Sequence, residues 1–212
     1  MLRSLPRAAR ILSPDNPKLA TTKVLVLNGS SIPGETKLAT TEIDTIFKNF
    51  TGSQIADDKL TKKNLMEQLP QYPIVHFAGH SEVNHEFPDF SHLALYKDKA
   101  YLLELEQLKL DKVRLIVLGS CESAAYADSG LNNQFSSLQE SLLSAGADSV
   151  LANLFPVSDQ IASKLLSHFY ELLAQGLAKD RALQQAQQLT RANNPHPKDW
   201  AGFVLSGSKL AL

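Results

Sequence analysis

Three histidines, His76, His80 and His85, fall within the stretch HFAGHSEVNHEF (76–87) of a chain that holds six in all, and the single cysteine, Cys121, follows in LGSCESA. Imidazole and thiol are the pair that covalent catalysis at a carbonyl needs. The imidazole takes the thiol proton, and the thiolate attacks. Clustered histidines also suit a metal, and His76 and His80 stand at i, i+4. That spacing brings two ligands together only on a helix, whereas PIVHFAG, with Pro73, β-branched Ile74 and Val75, and Gly79, is a strand sequence. Neither these residues nor His92 builds a metal site, and no cofactor is expected.

On a strand His76 alternates with Val75 and Phe77 and faces one side of a sheet. It is expected to be a core histidine bonded to backbone. His80 comes after Gly79, which permits a sharp exit from the strand, so it is free to reach over the sheet edge. His85 and His92 are expected in loops near the entrance. Cys121 has two readings. In mid-strand it would be a small buried hydrophobe; behind the small residues Gly119 and Ser120, at a strand end, it is placed as a nucleophile whose turn N–H groups can hold an oxyanion.

The elements that would position these groups read as alternating strands and helices, the pattern of an α/β sheet. KVLVLN, PIVHFAG, VRLIVLGS, DSVLANL and WAGFVLSG are strand runs, with HLALY a modest one. LATTEIDTIFKNF sets Leu38, Ile43, Ile46, Phe47 and Phe50 on one helical face. TKKNLMEQL is a shorter helix capped by Thr61. SSLQESLLSAGA closes at Gly146; SDQIASKLLSHFYELLAQG runs from an N-cap at Ser158 to a stop at Gly176. A further helix spans about residues 180–191. In open parallel sheets the ligand crevice lies beyond the carboxyl ends of the strands. His80 and Cys121 each fall at such an end, so they can meet if their strands are neighbours.

At 212 residues, 43% hydrophobic and 20% charged, the chain is sized for one core. Residues 1–22 read as a lead-in and 23–212 as one domain. Lys plus Arg total 21 against 22 for Asp plus Glu, a net charge of −1, which advertises neither nucleic acid nor an anionic membrane surface. No apolar run reaches the roughly 18 residues of a membrane span. The start, MLRSLPRAARILSPDNPK, puts arginines where a secretory signal has its apolar stretch. A lone cysteine suits a reducing compartment, so a cytoplasmic location is expected.

VHFAGHS, IVLGSCES, LLSAGADSVLANLFPVSD, FYELLAQG, ALQQAQQ and HPKDWAGFVLSG, in that order, together resemble the CHAT domain, a caspase-like cysteine peptidase module related to separases. The resemblance implies a caspase-haemoglobinase fold, a three-layer sandwich with a mostly parallel central sheet flanked by helices. It also implies peptide-bond hydrolysis by a His/Cys dyad, here His80 and Cys121. The oxyanion would be held by main-chain groups around Gly79, Ser81 and Ser120. Where caspase-type enzymes commonly have glycine after the histidine, this chain has Ser81. FPVSDQ resembles the separase segment that carries an acidic substrate-pocket residue, which would make Asp159 that residue and favour Arg or Lys before the cleaved bond. On its own chemistry Asp159 is also an acid welcome at a helix start. Glu122 also matches the family pattern and is a second pocket candidate; on its own chemistry an acid adjacent to the nucleophile is equally a solvated one. Trp200 is expected to be a core anchor.

Competing readings are an α/β-hydrolase and an inactive scaffold. GSCES superficially matches G-x-S-x-G, but its last position is Ser123, and the histidines after the nucleophile are only His168 and His196, the wrong order for that fold. The expectation is therefore a cysteine endopeptidase acting on a protein or peptide substrate and latent until a partner activates it, with a catalytically inactive caspase-like scaffold or adaptor as the alternative. CHAT domains often follow helical repeats such as TPRs; no repeat occurs in this sequence, so a TPR-like regulatory domain or subunit would be separate from these residues.

Overall fold

Strand β1 (Lys23–Asn28) is apolar at four consecutive positions, and Val24, Leu25, Val26 and Leu27 are all fully buried. A strand covered on both faces has no polar side to alternate with. That requirement fixes the architecture seen in the computed structural model, which describes residues 22–32, 40–84, 87–119 and 134–212. Helix α1 (Thr41–Asn49) leads to β2 (Thr51–Ala56), and α2 (Lys62–Gln68) leads to β3 (Ile74–Ala78). A small sheet follows, made of β4 (Ser81–Glu82), β5 (His92–Leu95) and β6 (Asp98–Tyr101), then α3 (Leu102–Glu106) and β7 (Leu115–Leu118). The chain closes with α4 (Gln134–Ser144), β8 (Ser149–Asn153), α5 (Asp159–Ala174), α6 (Lys179–Asn193) and β9 (Phe203–Gly207).

The main sheet has the order β2-β1-β3-β7-β8-β9. Its first five strands are parallel and β9 runs antiparallel against β8. Alternate residues supply two cores. One face sends Leu25, Leu27, Val75, Phe77, Ile116 and Leu118 toward α2, α3, α4 and the small sheet. The other sends Val24, Val26, Ile74, Val117 and Leu151 toward α1, α5 and α6. The result is three layers, as the resemblance implied.

Several local expectations hold, and some do not. The Thr61 hydroxyl accepts the Asn64 N–H at 3.3 Å, and Gly146 and Gly176, at φ 109° and 86°, close α4 and α5. Ser158 is the N-cap of α5 through its carbonyl, which accepts the N–H groups of Ile161 and Ala162 at 2.9 Å each; its hydroxyl makes no cap bond. Phe47, placed on the apolar face by periodicity, is 38% exposed, while Ile43, Ile46 and Phe50 are buried. Leu38 lies outside the described residues.

TGSQIA (51–56) forms β2 despite having no apolar alternation, because it is an outer strand exposed at its first four positions. Its glycine is what lets it approach. A Cβ on Gly52 would sit 1.9 Å from the Val24 carbonyl oxygen, so Gly52→Ala forces β2 away from β1. The expected cost is about 2 kcal/mol, read as a fall in Tm of roughly 4–8 °C; an unchanged Tm in a thermal melt would contradict this packing.

Candidate active site

β3 and β7 lie side by side in parallel, with Phe77 opposite Leu118. The pairing continues one step further, where the Gly119 N–H donates to the Phe77 carbonyl at 2.8 Å. In the chain His80 comes three residues after Phe77, and Cys121 three residues after Leu118. Ser120, Cys121 and Glu122 lie outside the described residues, as does His85.

His80 is only 6% exposed. Its carbonyl accepts the Ala94 N–H at 2.9 Å, and Ser81 and Glu82 continue as β4 against β5. The segment leaving the histidine is thus tied to the small sheet from its first residue. Gly79 is a requirement of space: a Cβ there would meet the Phe77 ring at 2.7 Å, and its φ is not in the left-handed region. Ser81 is buried, and its hydroxyl has no partner among the described residues. Asp159 is the first residue of α5 and is half-buried. Only five residues separate the carboxyl end of β8 from it, so it opens on the same rim of the sheet as His80.

Two other histidines differ from expectation. His92 is not in a loop but begins β5, 4% exposed. Its Nδ1–H donates to the Phe90 carbonyl at 3.1 Å, and Nε2 lies 3.6 Å from Glu82. His76 is a core residue, fully buried, but its partners are side chains and not backbone. Nδ1 shares a 3.1 Å hydrogen bond with the Tyr170 hydroxyl, and Nε2–H reaches the Glu42 carboxylate at 3.4 Å. The Ser163 hydroxyl donates to the second Glu42 oxygen, while accepting the Glu42 N–H at 3.2 Å and lying 2.6 Å from the Thr41 hydroxyl. The backbone partner was expected because α1 and α5 give no sign in sequence of meeting β3. Glu42 and Tyr170 are 34 and 94 residues from His76.

This network carries charge in the core. Burial alone would raise the Glu42 pKa, but the hydrogen bond and charge of His76, then the Ser163 hydroxyl and its own N–H, bring it below the ordinary carboxylate value. Burial, and secondly the Glu42 charge, push the Tyr170 phenol well above its usual value. Asn153, the last residue of β8, is 2% exposed with an Oδ1 that has no partner among the described residues. Nothing in SVLAN marked it. Trp200 packs half-buried against the core under α5 and α6, with the Arg191 guanidinium 5.4 Å over its ring. Among the described residues no three His, Cys, Asp or Glu side chains group as a metal site, and no helix is long and apolar enough to cross a membrane.

The family profile of the CHAT domain matches residues 3–208. The chain belongs to the CHAT domain family. Tetratricopeptide repeat protein 28 of Homo sapiens is 39% identical to this CHAT domain over 106 residues, covering 47% of the chain and 4% of that protein. The Mus musculus protein of the same name is 38% identical over 115 residues, 51% of the chain and 4% of its own length. The chain therefore spans a small fraction of the curated relatives it matches. Among solved structures, the RgpB pro- and mature-domain complex of Porphyromonas gingivalis superposes with a TM-score of 0.61 at 12% identity over 96% of the chain and 51% of its own. The Saccharomyces cerevisiae separase–securin complex gives 0.58 at 16% identity over 89% of the chain and 12% of that one. These likenesses establish a caspase-like fold for the CHAT domain.

A carboxylate whose folded pKa is depressed adds stability above its unfolded pKa and loses it as pH falls through the folded value. Glu42→Gln is therefore expected to cost about 2 kcal/mol near neutral pH, the scale for losing the hydrogen bonds of a buried carboxylate. It should also flatten the acid limb of the stability–pH curve. Denaturant unfolding from neutral pH into the acid range checks both; a wild-type acid limb retained in Glu42→Gln would assign that limb to other groups.

Proposed function

We propose that this CHAT domain, residues 23–212, is a cytoplasmic cysteine endopeptidase that cleaves a protein or peptide substrate through His80 and Cys121. The observation that carries the proposal is the parallel adjacency of β3 and β7 in the register Phe77 to Leu118, with histidine and cysteine at equal offsets beyond it. Membership of the CHAT domain family and the caspase-like fold support it.

In the proposed reaction His80 takes the Sγ proton, and the thiolate attacks the carbonyl carbon of the scissile bond. The N–H groups of Cys121 and of the segment from Gly79 to Ser81 hold the resulting oxyanion, with Ser120 setting the turn. Collapse expels the amine, which receives its proton from His80, and leaves a thioester on Cys121. Water, deprotonated by His80, then releases the acid and restores the thiol. Asp159, with Glu122 beside the nucleophile, forms the pocket for a basic residue before the cleaved bond.

A TPR-like regulatory domain or subunit is the proposed activating partner, in keeping with the repeat protein that the chain resembles. The alternative of an inactive scaffold or adaptor has one structural observation in its favour. Ser81, where caspase-type enzymes commonly have glycine, is buried with a hydroxyl that has no partner among the described residues, beside the histidine.

Covalent labelling by peptidyl acyloxymethyl ketones with Arg, Lys, Leu, Met, Asp or Ala next to the warhead, followed by intact mass, tests the proposal. Wild type is expected to take one label. Cys121→Ala should abolish it, and His80→Ala should slow it by about a hundredfold or more. Asp159→Ala should erase a preference for the basic probes. Folded wild-type protein that takes no label from any probe would mean either a domain locked until its partner binds or a scaffold.

A further inference from the structure

Across the main sheet, the neighbours of His76 on its own face are Val26 and Val117. A valine or leucine at position 76 would continue that apolar row, and a buried carboxylate–imidazole pair stabilises a fold no better than well-packed hydrocarbon. The pair breaks a local rule of the core, which calls for a gain elsewhere.

That gain lies at Gly119. A Cβ on Gly119 would come within 2.7 Å of His76 Cε1 and 3.1 Å of Nε2, so the glycine backbone seats directly on the imidazole edge. Glu42 and Tyr170 hold the ring at both nitrogens, which gives Gly119 a floor of fixed orientation where an aliphatic chain would have rotamers to choose from. Gly119 stands two residues before Cys121. The same network registers α5, since Ser163, the hydroxyl bonded to Glu42, lies one helical turn beyond Asp159.

We infer that Glu42 and His76 are positioning residues of the proposed dyad: locked by Ser163 and Tyr170, the His76 ring fixes where the strand delivers Cys121 and ties that position to the α5 terminus bearing Asp159. This inference rests on the endopeptidase reading and adds to it a role for four residues of the core.

The test is the kinetics of inactivation by a peptidyl acyloxymethyl ketone, resolved into the maximal rate constant and the half-saturating concentration, with Tm measured alongside. The double variant Glu42→Met/His76→Leu removes the polar pair and keeps the volume. It leaves the buried Tyr170 hydroxyl without its His76 partner, so Tm is expected to fall by several degrees, while its maximal rate falls by about tenfold or more, because misplacement of a reacting group by an ångström is that costly; half-saturation should move less than about twofold. A folded double variant reacting at the wild-type rate overturns the inference. Should that protein fail to fold, Tyr170→Phe deletes the hydrogen bond to His76 and Ser163→Ala removes the hydroxyl shared with Glu42 and Thr41, and each is expected to lower the maximal rate about threefold; wild-type rates in both overturn it equally. Wild-type protein that takes no label even with its regulatory partner bound defeats the endopeptidase reading itself, and the positioning role falls with it.

Discussion

Everything at the rim depends on one constraint, that β1, β3, β7 and β8 pair in parallel and so end on the same side. A parallel pair cannot be joined by a tight hairpin. The chain must cross over between strands, and the crossover from β3 to β7 is long enough to hold a whole small sheet and α3. Residues distant in sequence thereby leave the main sheet from adjacent positions, and the loops between them become the only place where polar chemistry can be gathered without breaking the apolar layers beneath.

Burial on both sheet faces makes that arrangement rigid, and it also limits what a core residue can be. Val24 to Leu27, Leu115 to Leu118 and Val150 to Ala152 obey the limit. His76 does not, and the structure answers with a paired network: the imidazole nitrogens meet Glu42 of α1 and Tyr170 of α5, and the Glu42 oxygens meet His76 and Ser163. Polar groups buried in this way are tolerable when complete and costly when broken. Ser81 and Asn153 at the rim, each with a side-chain oxygen that has no partner among the described residues, stand in contrast to it.

How much of this was legible in the sequence follows from the same physics. Strands buried on both faces announce themselves as apolar runs, which is why β1, β3, β7 and β8 were readable from KVLVLN, PIVHFAG, VRLIVLGS and DSVLANL. β2 was not, because an outer strand with four exposed residues has no periodicity to show, and β4 is only two residues long. Strand order left no local trace either. The adjacency of β3 and β7 was expected only from the resemblance to a known family. Long-range side-chain partners were the least legible: Glu42 reads as an ordinary first-turn acid of α1, and nothing near it in the chain points to His76. The residues of the proposed dyad were legible because chemistry restricts such a pair to histidine and cysteine, while the residues proposed to seat them are restricted only by contact.

The central claim, that His80 and Cys121 meet, is tested most directly by the pH dependence of Cys121 alkylation by iodoacetamide in wild type and His80→Ala. With an imidazole beside it, the thiolate forms well below the usual thiol value of about 8.5, and the midpoint returns to about 8.5 when His80 is removed. A midpoint near the ordinary thiol value in both proteins would mean that the two side chains do not act on one another, and the proposed dyad would be wrong.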